Sequence, residues 1–462
     1  MSGGKFRYTF FLGLLGFFLV CGGGFLFGGK IVVPDDFGTI AEAVAAASDY
    51  DLVLVRAGTY YNETIIVDKP LTIAGEDRET TIINNLDLDL PIYPFGESVF
   101  IVEASHVTIR DMTIQGGWDG IKSVTSSVGD LHIDNVVFWR NGYAFYGRYL
   151  GGNVLIENCL FNLNEFCGVL LRDSWGCVVR RNELTPYIDN AIRIWDSSAC
   201  EIVDNKIGSF MYTTLSIVNC SGIHVKRNEI ETNEYGLYLG LELQDVVVSD
   251  NVFWTNGGGY HGFSLYNVTG DPKIFHNDIL GYYFVPVDMI ISDDFSAVGW
   301  DDGYPSGGNY WAEYGGVDAD GDGIGDTPHT IVCSSGPPHP EDIYPLMKPF
   351  RSGIEANIKV KPEKVNGNTN GKYVNAYIEL PEGYNVADID LSTVQANKCV
   401  ACEPDPVKIK DFNNNGIPDL KVKFSRRALK EAIRDEMSPC EIKISGDVNG
   451  EQFVGFCYVK VK

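Results

Sequence analysis

From about residue 100 to residue 280 the chain runs through short apolar stretches that alternate with polar residues at a period of two. One stretch follows an Asn, as in Val136-Val137-Phe138, Cys159-Leu160-Phe161 and Val252-Phe253. A second opens about ten residues later on a small residue, as in Gly168-Val169-Leu170-Leu171, Ala191-Ile192-Arg193-Ile194 and Gly236-Leu237-Tyr238-Leu239. A third precedes the next anchor: Val178-Val179, Glu201-Ile202-Val203, Ile223-His224-Val225 and Val246-Val247-Val248. The anchors are Asp111, Asn135, Asn158, Asn182, Asn205, Asn228, Asn251 and Asn277, spaced by 24, 23, 24, 23, 23, 23 and 26 residues. A fixed period of this size marks a repeat architecture. Three strands per unit leave no room for a helix, and period two excludes one. The pattern predicts an all-β fold, a parallel β-helix of about 23 residues per coil. Coils of this kind stack at about 4.8 Å. The anchor is expected at the same place in every coil, where stacked amides donate to and accept from one another. That role is structural rather than catalytic.

Less regular coils precede these, at Leu52–Val55, Thr64–Val67, Leu71–Ile73 and Thr81–Ile83. Thr39 to Ala47 reads as a short helix with Thr39 as N-cap, suited to closing the open end of the stack. The organisation expected is an export segment over 1–29, a cap and irregular coils over 30–98, and a regular β-helix over 99–290. A C-terminal cap over 291–350 and a β-sandwich-like module over 354–462 follow, the module with one helix from Ser425 to Glu436.

The export reading rests on Lys5 and Arg7 followed by apolar residues from Tyr8 to about Phe27. This is either a cleaved signal or a membrane anchor, and it places the protein at the cell surface, outside the cell or in a periplasm. Asn62, Asn219 and Asn267 begin glycosylation sequons. With 36 basic against 62 acidic residues the net charge is −26. No basic stripe with interleaved aromatics runs through the repeat, so nucleic acid is not the expected partner. Of eleven cysteines, Cys159, Cys167, Cys177, Cys200 and Cys220 lie in the repeat as candidate core fillers. Cys399, Cys402, Cys440 and Cys457 share the last module and fit either two disulfides or a zinc site.

Two loops carry metal-type spacing. Asp318, Asp320, Asp322 and Asp326 stand at positions 1, 3, 5 and 9, with Gly323 at the turn. Asp411, Asn413, Asn415 and Asp419 repeat the spacing with fewer charges. Hard oxygen ligands so placed wrap calcium. The Glu that would close an EF-hand is missing, so these are related loops expected to hold structural ions.

The segment Gly308-Asn309-Tyr310-Trp311-Ala-Glu-Tyr314, the Asp318–Asp326 loop, Thr327-Pro328 and Asp342-Ile-Tyr344-Pro345-Leu346-Met347 carry a family likeness. Together with Val33-Pro34-Asp35-Asp36-Phe37 and Val55-Arg56-Ala-Gly58-Thr59-Tyr60, they resemble the NosD-like right-handed parallel β-helix proteins. These are also described as periplasmic copper-binding and carry carbohydrate-binding and sugar-hydrolase type repeats. The resemblance covers roughly residues 31–350. Residues 354–462 resemble an accessory module of archaeal and bacterial surface proteins. The resemblance implies copper and the maturation of a copper enzyme. The 7 His and 6 Met of the chain give that little support, although His329, Cys333 and His339 lie near one another.

Sugar-cleaving β-helices need paired carboxylates, or calcium with a basic residue. Asp173, Asp196, Asn219 and Glu242 each stand nine residues before an anchor, and Arg172, Arg193 and Asp189 could flank a groove. Asp173 and Asp196, each followed by Ser, also read as turn residues. Trp118, Trp139, Trp175, Trp195 and Trp254 offer flat faces for sugars. His261-Gly262 echoes a pectin-hydrolase motif without the paired Asp residues expected upstream. The expected function is an exported β-helix that binds glycan or serves as a surface scaffold. The alternatives are a polysaccharide lyase or hydrolase using Asp173, Asp196 and Arg193, and copper-site maturation.

Overall fold

The computed structural model describes residues 28–86, 95–126, 128–185, 189–208, 213–232, 235–255, 261–280, 285–289, 297–332, 338–350, 354–362, 364–365, 371–397, 400–403, 407–433 and 440–461. The chain is a parallel β-helix of about ten turns followed by β-sandwich-like sheets. It divides into two compact units, Met1–Ile188 and Asp189–Lys462. Of the expected export segment over 1–29, residues 1–27 lie outside the described residues.

In the first unit, identical coil positions stack into columns. Val53, Ile73, Ile109, Ile133, Ile156 and Val179 pair in succession along parallel strands, and all are fully buried. The Phe138 and Phe161 rings, one coil apart, stack at 4.9 Å. Alternation sends one side chain inward and the next outward, so a column of aliphatics inside implies a column of polar groups outside. The expected helix spans Ile40–Ala46; the Glu42 N–H donates to Thr39 Oγ1 at 3.2 Å. Ile40, Ala43 and Val44 of this helix are buried.

The anchors occupy two columns rather than one. Asp111, Asn135 and Asn158 sit at left-handed corners, with φ of 59°, 54° and 55°. Asn135 Nδ2 donates to Asp111 Oδ1 at 2.7 Å. The buried position lies one residue later, where Met112 pairs with Val136. Cys159 occupies it in the next coil, and its N–H donates to Asn182 Oδ1 at 2.9 Å. From Asn182 onward the anchor is the buried residue, and the corner passes to its predecessor, such as Arg181, Asp204, Arg227 or Asp250. Asn and Asp tolerate the positive φ of the corner column, while an amide suits the buried column because it both donates and accepts; Asn is therefore common in both, and the shift is invisible in the spacing.

In the second unit the buried column is a continuous amide ladder. Asn205, Asn228, Asn251 and Asn277 each donate both the backbone N–H and Nδ2–H to the next Oδ1, at 2.9–3.1 Å. The ladder runs on through Asn309 and ends at Asp342, whose Oδ2 accepts from Asn309 N–H at 2.7 Å and Trp311 Nε1–H at 2.9 Å. Its other oxygen accepts from Tyr344 N–H at 3.2 Å. A Cβ on Gly308 would lie 1.8 Å from that oxygen, so no larger residue fits there. Phe253, Phe263, Trp300 and Trp311 pack in sequence at 5.0, 5.5 and 6.2 Å beneath this end.

The last part of the second unit holds two sheets: an antiparallel one through Tyr373–Glu379 and Asp419–Ser425, and a mixed one in which Cys440–Val448 and Glu451–Val461 pair antiparallel while Ile354–Glu355 and Lys364–Val365 run parallel to the latter. Val374, Ala376, Val422, Phe424, Ile442 and Phe453 form its core. Its helix is Arg426–Ala432, with Ser425 as N-cap; residues 434–436 of the expected helix lie outside the described residues. The Arg227 guanidinium ion-pairs with Asp204 at 2.7 Å and lies 4.2 Å from the Phe456 ring, joining a coil corner to the sandwich. No described helix is long and apolar enough to cross a membrane.

Burial pushes the Asp342 carboxyl up to about 6, against the pull of its four N–H donors. A folded pKa above the unfolded one means that stability is full below the unfolded value and is lost as pH rises through the folded value. Asp342→Asn keeps an acceptor and cannot ionise. The stability difference between Asp342→Asn and wild type, from urea unfolding, should therefore shift in the variant's favour by about 3 kcal/mol between about pH 4 and pH 7. A difference that stays flat with pH contradicts this account of Asp342.

Candidate functional site

Register builds an aromatic cluster on the outside of the first unit. Asp119, Tyr143 and Cys167 pair across three parallel strands. The residues just before them, Trp118, Gly142 and Phe166, therefore form one column. Gly142 supplies no side chain; a Cβ there would lie 3.3 Å from the Phe166 ring. The rings from the coils on either side close over it, with Trp118 and Phe166 centroids 5.4 Å apart. Phe95 joins at 6.3 Å from Trp118, and Tyr143 at 5.4 Å from Phe166. Tyr146 extends the cluster along the strand, 5.9 Å from Tyr143. Trp118 is 46% exposed and the other four rings are partly so. Of the remaining tryptophans, Trp175 and Trp254 are exposed, and Trp139 and Trp195 are half-buried.

The three residues proposed for catalysis do not fall in one unit. Asp173 is a corner residue of the first (φ 48°) and accepts from Arg148 Nε at 2.7 Å. Asp196 is a corner residue of the second (φ 51°) and accepts from Asn219 Nδ2 at 2.8 Å. Arg193 pairs with Asp189 at 3.2 Å and lies 5.3 Å from the Trp195 ring. Asp196, Asn219 and Glu242 do come together, lining an open polar groove of about 310 Å³ with Ser197, Ser198, Cys220, Ser221 and Gln244. Burial pushes the Cys220 thiol up to about 12, so it offers no thiolate nucleophile near neutral pH.

The two acidic loops fold alike. Asp318 accepts from the N–H groups of Gly321, Asp322 and Gly323 at 2.7–3.2 Å, and Asp326 from that of Ala319 at 2.8 Å. Asp411 accepts from Asn414, Asn415 and Gly416 at 2.6–3.2 Å, and Asp419 from Phe412 at 2.7 Å. Desolvation raises the Asp318 pKa, but these amides outweigh it and hold the carboxyl below the usual range. At Asp411 the Gly416 amide leads the same lowering. One carboxylate oxygen each from Asp318, Asp320 and Asp322 lies within 4.8 Å of the others. The second loop recruits a residue the spacing does not reveal. Glu379, on a neighbouring strand, accepts from Asn413 at 2.9 Å, Asn415 at 2.7 Å and Asn357 at 3.2 Å.

A second group went unread in the sequence. Glu157 lies 3.0 Å from His132 Nε2 and 3.0 Å from Arg180 Nε, and also pairs with Arg181. Burial pulls its pKa up, but His132, Arg180 and Arg181 prevail and hold it at about 2. Asp134 lies close enough to complete a three-residue cluster. The two guanidiniums already neutralise Glu157, so the group fits an ion-pair network better than a metal site. Its signal was register: Asp134, Glu157 and Arg180 pair in succession.

His329 stacks on Trp311 at 4.6 Å, and burial pushes its pKa down to about 4. Cys333 and Cys399 lie outside the described residues, and the side chain of His261 is likewise not described. The five repeat cysteines are buried, as is Cys440, while Cys402 and Cys457 are half-buried.

The family described as right handed beta helix region matches residues 97–279. No curated protein matches the chain. Among solved structures, the chain resembles the A-module of the Azotobacter vinelandii mannuronan C-5 epimerase AlgE6 at 14% identity and TM-score 0.35, over 56% of this chain and 92% of that one. It resembles the enzymatically active domain of bacteriophage CBA120 tailspike protein 2 at 9% identity and TM-score 0.40, over 94% and 70%. The GH87 alpha-1,3-glucanase of Streptomyces thermodiastaticus aligns at 12% identity and TM-score 0.32, over 60% and 69%. These neighbours are carbohydrate-active enzymes and a tailspike, and likeness this distant transfers no activity.

Proposed function

We propose that this chain is an exported, calcium-stabilised β-helix protein, secreted or held at the cell surface, that binds a glycan on its outer face without cleaving it. The cluster of Phe95, Trp118, Tyr143, Tyr146 and Phe166 carries this reading. Five rings gathered outside the coil, with Trp118 nearly half exposed, supply flat apolar faces edged by hydroxyls. Sugar rings present C–H faces that stack on such surfaces. The hydrogen-bond and ion-pair engagement of Asp173, Asp196 and Arg193 supports a structural role for them.

The test is retention and cleavage across a panel of neutral and acidic polysaccharides. The expected result is retention without cleavage, weakened about tenfold by Trp118→Ala, a loss typical of an aromatic anchor. Cleavage that disappears in Asp196→Ala would move the protein to the hydrolases or lyases, and retention of nothing on the panel would overturn glycan binding.

Calcium enters through the donor chemistry of the loops. Asp318, Asp320, Asp322 and Asp326 would hold one ion; Asp411, Asn413, Asn415, Asp419 and Glu379 would hold a second, more weakly. Bound calcium would neutralise gathered carboxylates and pin each loop. A ligand at about 100 times its Kd stabilises a fold by about 2.7 kcal/mol. Chelation should lower the Tm by several degrees, with part of that response lost in Asp318→Ala. An unchanged Tm on chelation excludes both loops as structural calcium sites.

A further inference from the structure

The glycan reading leaves the length, shape and charge of the sugar chain open, and one coil of the first unit narrows all three. Its strand Tyr143–Arg148 carries Tyr143 and Tyr146, with ring centroids 5.9 Å apart. Tyr149 follows at the corner, with φ of 61°, and is 41% exposed. A glycine stands beyond each end of this run, and a ring from a neighbouring coil leans over each. At one end this is Gly142, covered from the two sides by Trp118 and Phe166. At the other end Gly151 pairs in register with Trp175 of the next coil. A Cβ on Gly151 would lie 3.1 Å from Trp175 Nε1, and one on Gly152 would lie 2.9 Å from its Cη2. The two glycines thus make room for an indole that is 58% exposed. A strand of six residues spans about 20 Å. The rings therefore mark a line across the coil from corner to corner, far longer than one sugar.

Charge on this line is already spent. Lys122, in register with Tyr146, pairs with Asp119 at 3.5 Å. Arg148 pairs with Asp173 at 2.7 Å and lies 4.4 Å from the Tyr149 ring. A charged occupant would compete with these pairs, and a polyanion would also meet a chain of net charge −26. An uncharged chain disturbs none of them. Rings set along a line suit sugars that present flat C–H faces on successive units. A straight ribbon, as in cellulose or xylan, does so; a curved chain leaves the line after one end is covered.

Resting on the glycan reading above, we propose that the site is an extended one for a straight, uncharged glycan of the ribbon type. The chain lies along the strand from Trp118 to Trp175, over Tyr143, Tyr146 and Tyr149. Once one end is stacked, the other end meets its ring as an intramolecular event, so affinity climbs with chain length until both ends are covered.

The test titrates the full chain, with calcium present, with cellobiose, cellohexaose, the curved laminarihexaose and oligogalacturonate. Cellohexaose should bind at least about tenfold more tightly than each of the other three. Trp175→Ala should weaken cellohexaose about tenfold, the loss expected for an aromatic anchor, and Trp175→Tyr should restore most of it. An unchanged Tm in both variants shows that the fold is intact, and Tyr149→Ala serves as the second probe of that end. Equal binding of cellobiose and cellohexaose, or no effect of Trp175→Ala on cellohexaose, overturns the extended site and leaves glycan binding at the Trp118 cluster standing. Tighter binding of laminarihexaose or oligogalacturonate overturns the straight, uncharged class. Binding of none of the four overturns this proposal alone where another polysaccharide is retained, and overturns the glycan reading with it where none is.

Discussion

In the second unit Asn228, Asn251, Asn277 and Asn309 each present one carbonyl oxygen to two N–H groups of the preceding coil, and the rest of the coil geometry depends on that contact. The oxygen has two lone pairs and the incoming residue two donors, a backbone and a side-chain N–H. One column thus satisfies the polar groups exposed where each strand turns a corner, at a place without water. It also fixes register. A coil displaced by one residue would set an aliphatic side chain against two buried donors, and each orphaned donor costs about 1–3 kcal/mol. The aliphatic columns supply most of the burial, yet they tolerate sliding better than the ladder does.

Register then determines the surface. Trp118 and Phe166 meet only because Gly142 holds the intermediate coil position, and Lys122 borders Tyr146 only because their strands pair in phase. The same constraint sets the far end, where Asn309 and Asp342 continue the column beyond the regular repeat. A buried carboxylate is a costly terminus. Its two oxygens accept from four donors at once, so the last coil ends with its amides satisfied.

The coil was legible in the sequence because strand alternation and a fixed period are direct consequences of stacking. The helix at Ile40–Ala46 was legible because its N-cap and apolar face are local. What escaped depended on comparing positions across coils. A spacing of 24 between Asn158 and Asn182 looks like its neighbours, yet that extra residue moves the anchor from the corner to the interior. Asn309 and Asp342 lie 32 and 33 residues along the ladder, beyond a 23-residue window, although both stand in motifs that drew notice for other reasons. Trp118, Gly142 and Phe166 are spaced by 24 like the anchors, but a column that mixes Trp, Gly and Phe carries no shared residue type to mark it. Glu379 joins its loop from 34 and 36 residues away, a distance no loop motif spans.

The most direct test of the central claim is equilibrium urea unfolding of Asn251→Ala. The substitution removes the acceptor of Asn228 N–H and Nδ2–H and the donor to the Val225 and Ser249 carbonyls, all fully enclosed. The ladder account predicts a loss of about 3–5 kcal/mol, more than the truncated side chain's volume would cost in a surface coil. A loss under about 1 kcal/mol would show that the aliphatic columns hold the register unaided, contradicting the account.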